Sequence, residues 1–242
     1  GLGAMGAPMA LNLVKAGHEV HGFDLREGAT AALIAAGGQA AASAAECARG
    51  AELLWLMVVS GEQAESVLFD GGAAAALPRG AIVVAACTQA PALAKRTAER
   101  LATMGLAMLD APVSGGIKGA TAGALTIMVS GDAAVQARAK PVLDAVGRKI
   151  FDVGREAGLG STAKMINQLL CGVHIAAAAE AMHVAERAGV PLQTMVDIIS
   201  VSAGHSWMFG DRAPRMMQAE PAVASAVDIF VKDLGIVLDQ GR

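Results

Sequence analysis

The chain opens Gly1-Leu2-Gly3-Ala4-Met5-Gly6, and this G-x-G-x-x-G run constrains the fold more than any other feature. Glycines at that spacing suit a tight passage from a strand into a helix. The first permits the turn, the second lets the backbone approach a pyrophosphate, and the third lets helix and strand pack closely. A helix beginning there turns free N–H groups and a partial positive charge toward the phosphates. An ordinary glycine turn is the alternative, and the surroundings weigh against it. A helical pattern follows over Ala4–Ala16, then a strand pattern over Glu19–Asp24 ends in an acid 23 residues after Gly1. A carboxylate at that place accepts hydrogen bonds from the adenosine ribose hydroxyls. It also repels a 2′-phosphate, so NAD is the expected cofactor and NADP the less favoured one. Arg26 stands two residues on and reads as a solvated loop charge, although it has the reach to pair with a phosphate. A strand is expected just before Gly1, so the sequence reads as a fragment.

Short apolar runs recur through the first half, at Glu19–Asp24, Leu53–Val59, Ala81–Ala86, Leu106–Asp110, Ala124–Val129 and Lys149–Val153. Helical stretches such as Pro91–Met104 separate the early ones, with Pro91 at a tolerated first-turn position and Gly105 as a closing glycine. Strands alternating with helices at this period argue for a mostly parallel sheet covered on both faces. The pattern changes at the Gly-rich stretch Arg155–Gly160. Beyond it no strand is legible. A long helix capped by Ser161 or Thr162 runs to about Ala188, and further helices are expected over Leu192–Ser202, Ser206–Gln218 and Ser225–Asp239.

Composition excludes several classes of function. Of 242 residues, 54% are hydrophobic and 17% charged, which is a globular balance. A net charge of −3 offers no basic surface to nucleic acid. Cys47, Cys87 and Cys171 are too scattered for a zinc site or a disulfide framework. No metal site is expected, and thiols of this kind suit the cytoplasm. Mean hydropathy is +0.49, yet no apolar stretch reaches the roughly 18 residues of a membrane span.

Two more clusters carry chemistry. The run Asp110-Ala-Pro-Val-Ser-Gly-Gly116 follows a strand, and ligands in such sheets bind beyond the C-terminal strand ends. Ser114 offers a hydroxyl, and Gly115 and Gly116 offer unobstructed backbone N–H groups that can cradle a carboxylate. A plain glycine turn accounts for these residues equally well when they are taken alone. Lys164 and Asn167, in Lys164-Met-Ile-Asn167-Gln168, are three apart and so share one helix face. A surface lysine is the commoner meaning of such a residue taken alone. His174 is turned roughly a quarter turn from Lys164 and reads as a packing histidine. Trp207, Met208 and Phe209 read as core or dimer contacts.

Gly1–Gly6 with Met5, the Asp110–Gly116 run, Lys164–Gln168 and Lys232-Asp233-Leu234 stand in one order along the chain. In that order they resemble the 3-hydroxyisobutyrate dehydrogenase (β-hydroxyacid dehydrogenase) family, and the resemblance covers nearly the whole sequence. It implies an α/β fold: a Rossmann-type doubly wound sheet over residues 1–160, then a long interdomain helix and an all-α domain over residues 161–242. It implies that Lys164 is the catalytic lysine, Ser114–Gly116 the substrate-binding run and Asn167 a substrate-orienting amide. Thr88, in Cys87-Thr88-Gln89-Ala90-Pro91, matches a threonine near the nicotinamide, and Lys232 a lysine near the cofactor. Cys87 departs from the serine often found there. The family's C-terminal section reads as cut short after Arg242. Within the family, Gly172–Glu180, Ser206–Phe209 and Ser225–Asp239 resemble the L-threonate dehydrogenase group.

The expected activity is therefore NAD-dependent oxidation of a small hydroxy acid, with L-threonate first. 3-Hydroxyisobutyrate dehydrogenase and tartronate semialdehyde reductase are alternatives, and a non-catalytic dinucleotide-binding module is a remote one. A free lysine titrates near 10.4 and must fall toward roughly 7–8 to serve as a base. Burial and the like charge of Lys232 are the expected causes. The expected assembly is a homodimer or homotetramer.

Overall fold

A computed structural model describes residues 1–221 and 227–241. In chain order its first part runs α1 (Gly6–Lys15), β1 (His21–Gly22), α2 (Ala31–Ala35), β2 (Gln39–Ala40), α3 (Ala44–Ala48), β3 (Leu53–Leu56) and α4 (Gly61–Glu65). A π-helical turn over Ser66–Asp70 prolongs α4. Then come α5 (Ala73–Ala76), β4 (Ile82–Ala85), α6 (Pro91–Thr103), β5 (Ala107–Asp110), β6 (Val113–Ser114), α7 (Gly116–Thr121), β7 (Leu125–Ser130), α8 (Ala133–Val146) and β8 (Gly147–Gly154). Four helices complete the chain: α9 (Leu159–Arg187), α10 (Leu192–Ser200), α11 (Trp207–Met216) and α12 (Val227–Gln240). The described chain forms two units, Gly1–Lys164 and Met165–Arg242, and the division falls inside α9.

The sheet of the first unit follows from its apolar runs. β3, β4 and β5 pair in parallel, and all four residues of β4 are buried, as befits a central strand covered on both faces. Successive side chains of a strand point to opposite faces. Val83 accordingly joins a core with Leu56, Leu68 and Leu101, while Val84 joins another with Met9, Leu109, Ile127 and Leu143. β7 runs antiparallel to β5, where Asp110 faces Ser130, and pairs in parallel with β8. β1 and β2 form a separate two-stranded sheet. Polar side chains start the helices: Ser43, Ser60 and Asp132 each accept backbone N–H groups of the first turn of α3, α4 and α8.

The second unit is helical. Ala178, Met182, Val196, Phe209 and Ala213 form its core, and Ser206 caps α11 by accepting the Phe209 N–H.

The structure departs from sequence expectation in several places. The expected strand over Glu19–Asp24 shrinks to His21–Gly22, and β2 and β6, each two residues long, were not expected. Strands this short leave no alternation to read. α9 begins at Leu159, so Ser161 and Thr162 lie inside it rather than at its cap. Of the three residues expected as core or dimer contacts, Met208 and Phe209 are buried and Trp207 is 66% exposed. Ser225, the expected start of the last helix, lies outside the described residues. α9 is also long and apolar enough to cross a membrane by length and composition, with a mean hydropathy of 1.2 over 18 residues. This corrects the expectation that no apolar stretch is long enough: Lys164, Asn167, Gln168 and His174 interrupt the apolar run of α9 without bringing its average down far enough.

Candidate active site

Steric demand explains two glycines of the opening turn. A Cβ on Gly1 would stand 2.6 Å from the Met57 carbonyl oxygen, at the end of β3, and a Cβ on Gly6 would strike the Gly1 carbonyl oxygen. Gly3 has room, and its freedom lies in the open approach to its backbone. Met5 at the start of α1 makes no side-chain cap, and the helix start turns its positive dipole end toward the glycine turn, where an anion is favoured. Leu2 is buried, and Ala4 lies exposed beside it.

Asp24 comes to this turn. Its Oδ2 accepts the Leu2 N–H at 2.7 Å, and its Oδ1 accepts Arg26 N at 2.9 Å and Nε at 3.0 Å. The Arg26 side chain, then burial in opposition, then the backbone N–H groups of Arg26 and Leu2 set its acidity, with the net result that the carboxyl is held below its ordinary 3.8. Arg26 Nη2 also donates to the Leu2 carbonyl at 3.1 Å. Arg26 is thus a tie between Asp24 and the glycine turn, not the solvated loop charge expected from sequence. Gly1, Leu2, Gly3, Gly6, Asp24 and Arg26 are gathered at one turn. The residues therefore fit a dinucleotide: a glycine turn, a helix start with no side-chain cap and an ionised acid stand together.

Beyond the strand ends, Thr88 sits half-buried in the loop between β4 and α6. Ser114 is held in β6 opposite Thr126 of β7. Gly115 and Gly116 take φ of +131° and +60°, which residues with a Cβ resist. Lys164 is only 7% exposed. Asp110, fully buried, accepts the N–H groups of Gly158 and Ser161 and the Ser161 hydroxyl. Burial pushes its carboxyl up, and the hydrogen bonds led by Ser161 oppose that rise. Sequence reasoning saw Asp110 only as the start of a run. Its partners lie about fifty residues away, so no local spacing revealed them.

In the second unit, Asn167 Nδ2 donates to Gln168 Oε1 at 3.0 Å, and Gln168 Nε2 donates to Asp233 Oδ2 at 2.6 Å. Lys232 Nζ stands 2.7 Å from Asp233 Oδ1 in an ion pair. Asn167 and Lys232 are thereby linked through Gln168 and Asp233, neither of which the sequence had singled out. Among the described residues no group of three or more His, Cys, Asp or Glu gathers to hold a metal ion.

Residues 1–154 match the family model for the NAD binding domain of 6-phosphogluconate dehydrogenase. Residues 158–242 match the one described as NAD-binding of NADP-dependent 3-hydroxyisobutyrate dehydrogenase. A 3-hydroxyisobutyrate dehydrogenase of Pseudomonas aeruginosa is 40% identical over 246 residues, covering 98% of this chain and 82% of that protein. The chain belongs to the 3-hydroxyisobutyrate dehydrogenase family. A crystal structure of 3-hydroxyisobutyrate dehydrogenase from Salmonella typhimurium agrees with it at a TM-score of 0.93 and 47% identity, covering 100% of this chain and 85% of that one. An L-threonate dehydrogenase of Cupriavidus necator is 48% identical over 243 residues, covering 100% of this chain and 82% of that protein. As a member of the 3-hydroxyisobutyrate dehydrogenase family the chain is an oxidoreductase of small hydroxy acids with NAD as its cofactor.

Proposed function

We propose that the chain oxidises L-threonate to its 2-oxo acid with NAD, using Lys164 as the acid/base. The observation that carries the substrate is the 48% identity, sustained along the whole chain, to an L-threonate dehydrogenase. NAD, when bound, would supply the nicotinamide that accepts a hydride from the substrate carbon. The Gly1–Gly6 turn would hold the pyrophosphate through the backbone of Gly3, Ala4 and Met5, and Asp24, already joined to the Leu2 N–H, would take the ribose hydroxyls. Thr88 and Lys232 flank the cofactor. Ser114 and the N–H groups of Gly115 and Gly116 hold the carboxylate, and Asn167 orients the hydroxyl. Lys164 Nζ accepts the hydroxyl proton, and returns it when the reaction runs toward reduction. Lys164 is 7% exposed, so its amine is shielded from bulk water. On this reading residues 1–160 serve the nucleotide and residues 161–242 complete the protein.

A homodimer or homotetramer accompanies this reading, supported by the apolar side chains that Ile166, Leu170 and Val173 leave exposed on α9. The proposed compartment is the cytoplasm. Turnover of L-threonate, 3-hydroxyisobutyrate and tartronate semialdehyde with NAD and NADP tests the assignment. L-Threonate with NAD should give the highest kcat/KM. Tight NAD binding with no turnover of any of the three would instead leave a non-catalytic dinucleotide-binding module.

A further inference from the structure

We propose that Asp110 is a positioning residue: its carboxylate sets the separation between the strand end that leads to Ser114 and the helix turn that carries Lys164. The inference rests on the reading of Lys164 as the acid/base and of Ser114–Gly116 as the carboxylate anchor.

Asp110 is the last residue of β5 and has no exposed surface. Its Oδ2 accepts Gly158 N at 2.9 Å and Ser161 N at 2.7 Å, and its Oδ1 accepts Ser161 Oγ at 2.7 Å. Beside it, across the β5–β7 pairing, Ser130 Oγ accepts Gly160 N at 3.0 Å. The first N–H groups of a helix lack partners within the helix. At α9 two side chains on neighbouring strand ends take them. That close approach depends on residue 160 having no side chain, because a Cβ there would strike the Asp110 carbonyl oxygen and stand 2.6 Å from that of Met128.

The chain geometry gives this clamp its consequence. Ser114 lies four residues beyond Asp110, and Lys164 lies three beyond Ser161, on the same helix face. The proposed base stands one helical turn beyond Ser161, and the proposed anchor four residues along an extended chain from the same carboxylate. Gln89, next to Thr88, is 2% exposed and favours the ionised form of Asp110. A buried carboxylate is costly unless its oxygens are fully occupied, and here its hydrogen bonds are spent on the element that carries Lys164.

A mere helix cap would alter stability and leave the turnover of each folded molecule unchanged. A positioning group alters kcat, because a misplacement of about 1 Å costs up to about 100-fold in rate. The test compares S161A and D110N with the wild type, alone and combined with K164A. NAD affinity and thermal melting identify folded protein. S161A should lower kcat about 10-fold and D110N up to about 100-fold, with KM for NAD unchanged. On the K164A background neither should lower the residual rate further, because both act through the same amine. Wild-type kcat in folded S161A and D110N, with K164A inactive, overturns the positioning role alone. So do losses that multiply with that of K164A. Wild-type turnover by K164A overturns the lysine reading and the inference with it. If D110N does not fold, S161A decides the question by the same criteria.

Discussion

At Asp24 the chain keeps an ionised carboxylate where the cofactor's ribose is expected. Arg26 and Leu2 hold it below 3.8, so the unfolded chain takes up this proton first as pH falls. Its contribution to stability is complete above that pH and is lost as pH drops through the range beneath it. Urea midpoints of D24N and wild type should therefore differ near neutrality and converge as pH is lowered below 3.8. Arg26 is exposed over most of its side chain, and exposed pairs are weak. R26A should reduce NADP affinity relative to NAD by a factor of about 5 or less, read by equilibrium binding of both nucleotides. Lys164 carries the larger consequence. K164A should lower kcat by about 10²–10⁴-fold while leaving the NAD dissociation constant unchanged, which steady-state kinetics and fluorescence titration measure. Asp24 was legible in the sequence because turn, helix and acid follow one another within a short stretch. The Arg26 tie and the Asp110 clamp were not, because they are made by folding rather than by spacing.

Among the elements, the central strands β3, β4, β5 and β7 and the helices α6 and α9 could be read from the sequence, for a physical reason. Residues hidden on both faces form continuous apolar runs, and a proline at the first position or a glycine after the last marks a helix end. The start of α9 escaped reading because its cap is supplied by Asp110 and Ser130, from strands distant in sequence. The fit at that junction makes a prediction. G160A places a Cβ against two backbone carbonyls and should cost about 3 kcal/mol, seen as a lower urea midpoint. G235A, in α12 with nothing within 4 Å of its Cβ position, should instead stabilise its helix by about 0.5–1 kcal/mol. Equal effects at the two sites would contradict the tight packing described for the α9 start.

For the whole molecule, two features stand together: a nucleotide-binding unit with its own two-sided core, and a helical unit whose long helix shows Ile166, Leu170 and Val173 at 52%, 51% and 53% exposure. Apolar side chains in that density on one helix call for a partner surface. Sedimentation should show a dimer or larger species, and L170D should shift it toward monomer. A wild-type monomer at micromolar concentration would refute the proposed assembly. The likeness to the L-threonate dehydrogenase group was legible only through whole stretches, Gly172–Glu180 and Ser206–Phe209 among them, since no single residue carries it. The decisive measurement is the initial rate of NADH formation with L-threonate against 3-hydroxyisobutyrate, at equal subsaturating concentrations of each acid. A faster rate with L-threonate, abolished by K164A, is the expected result. A faster rate with 3-hydroxyisobutyrate, or none with L-threonate from protein that binds NAD, would contradict the assignment.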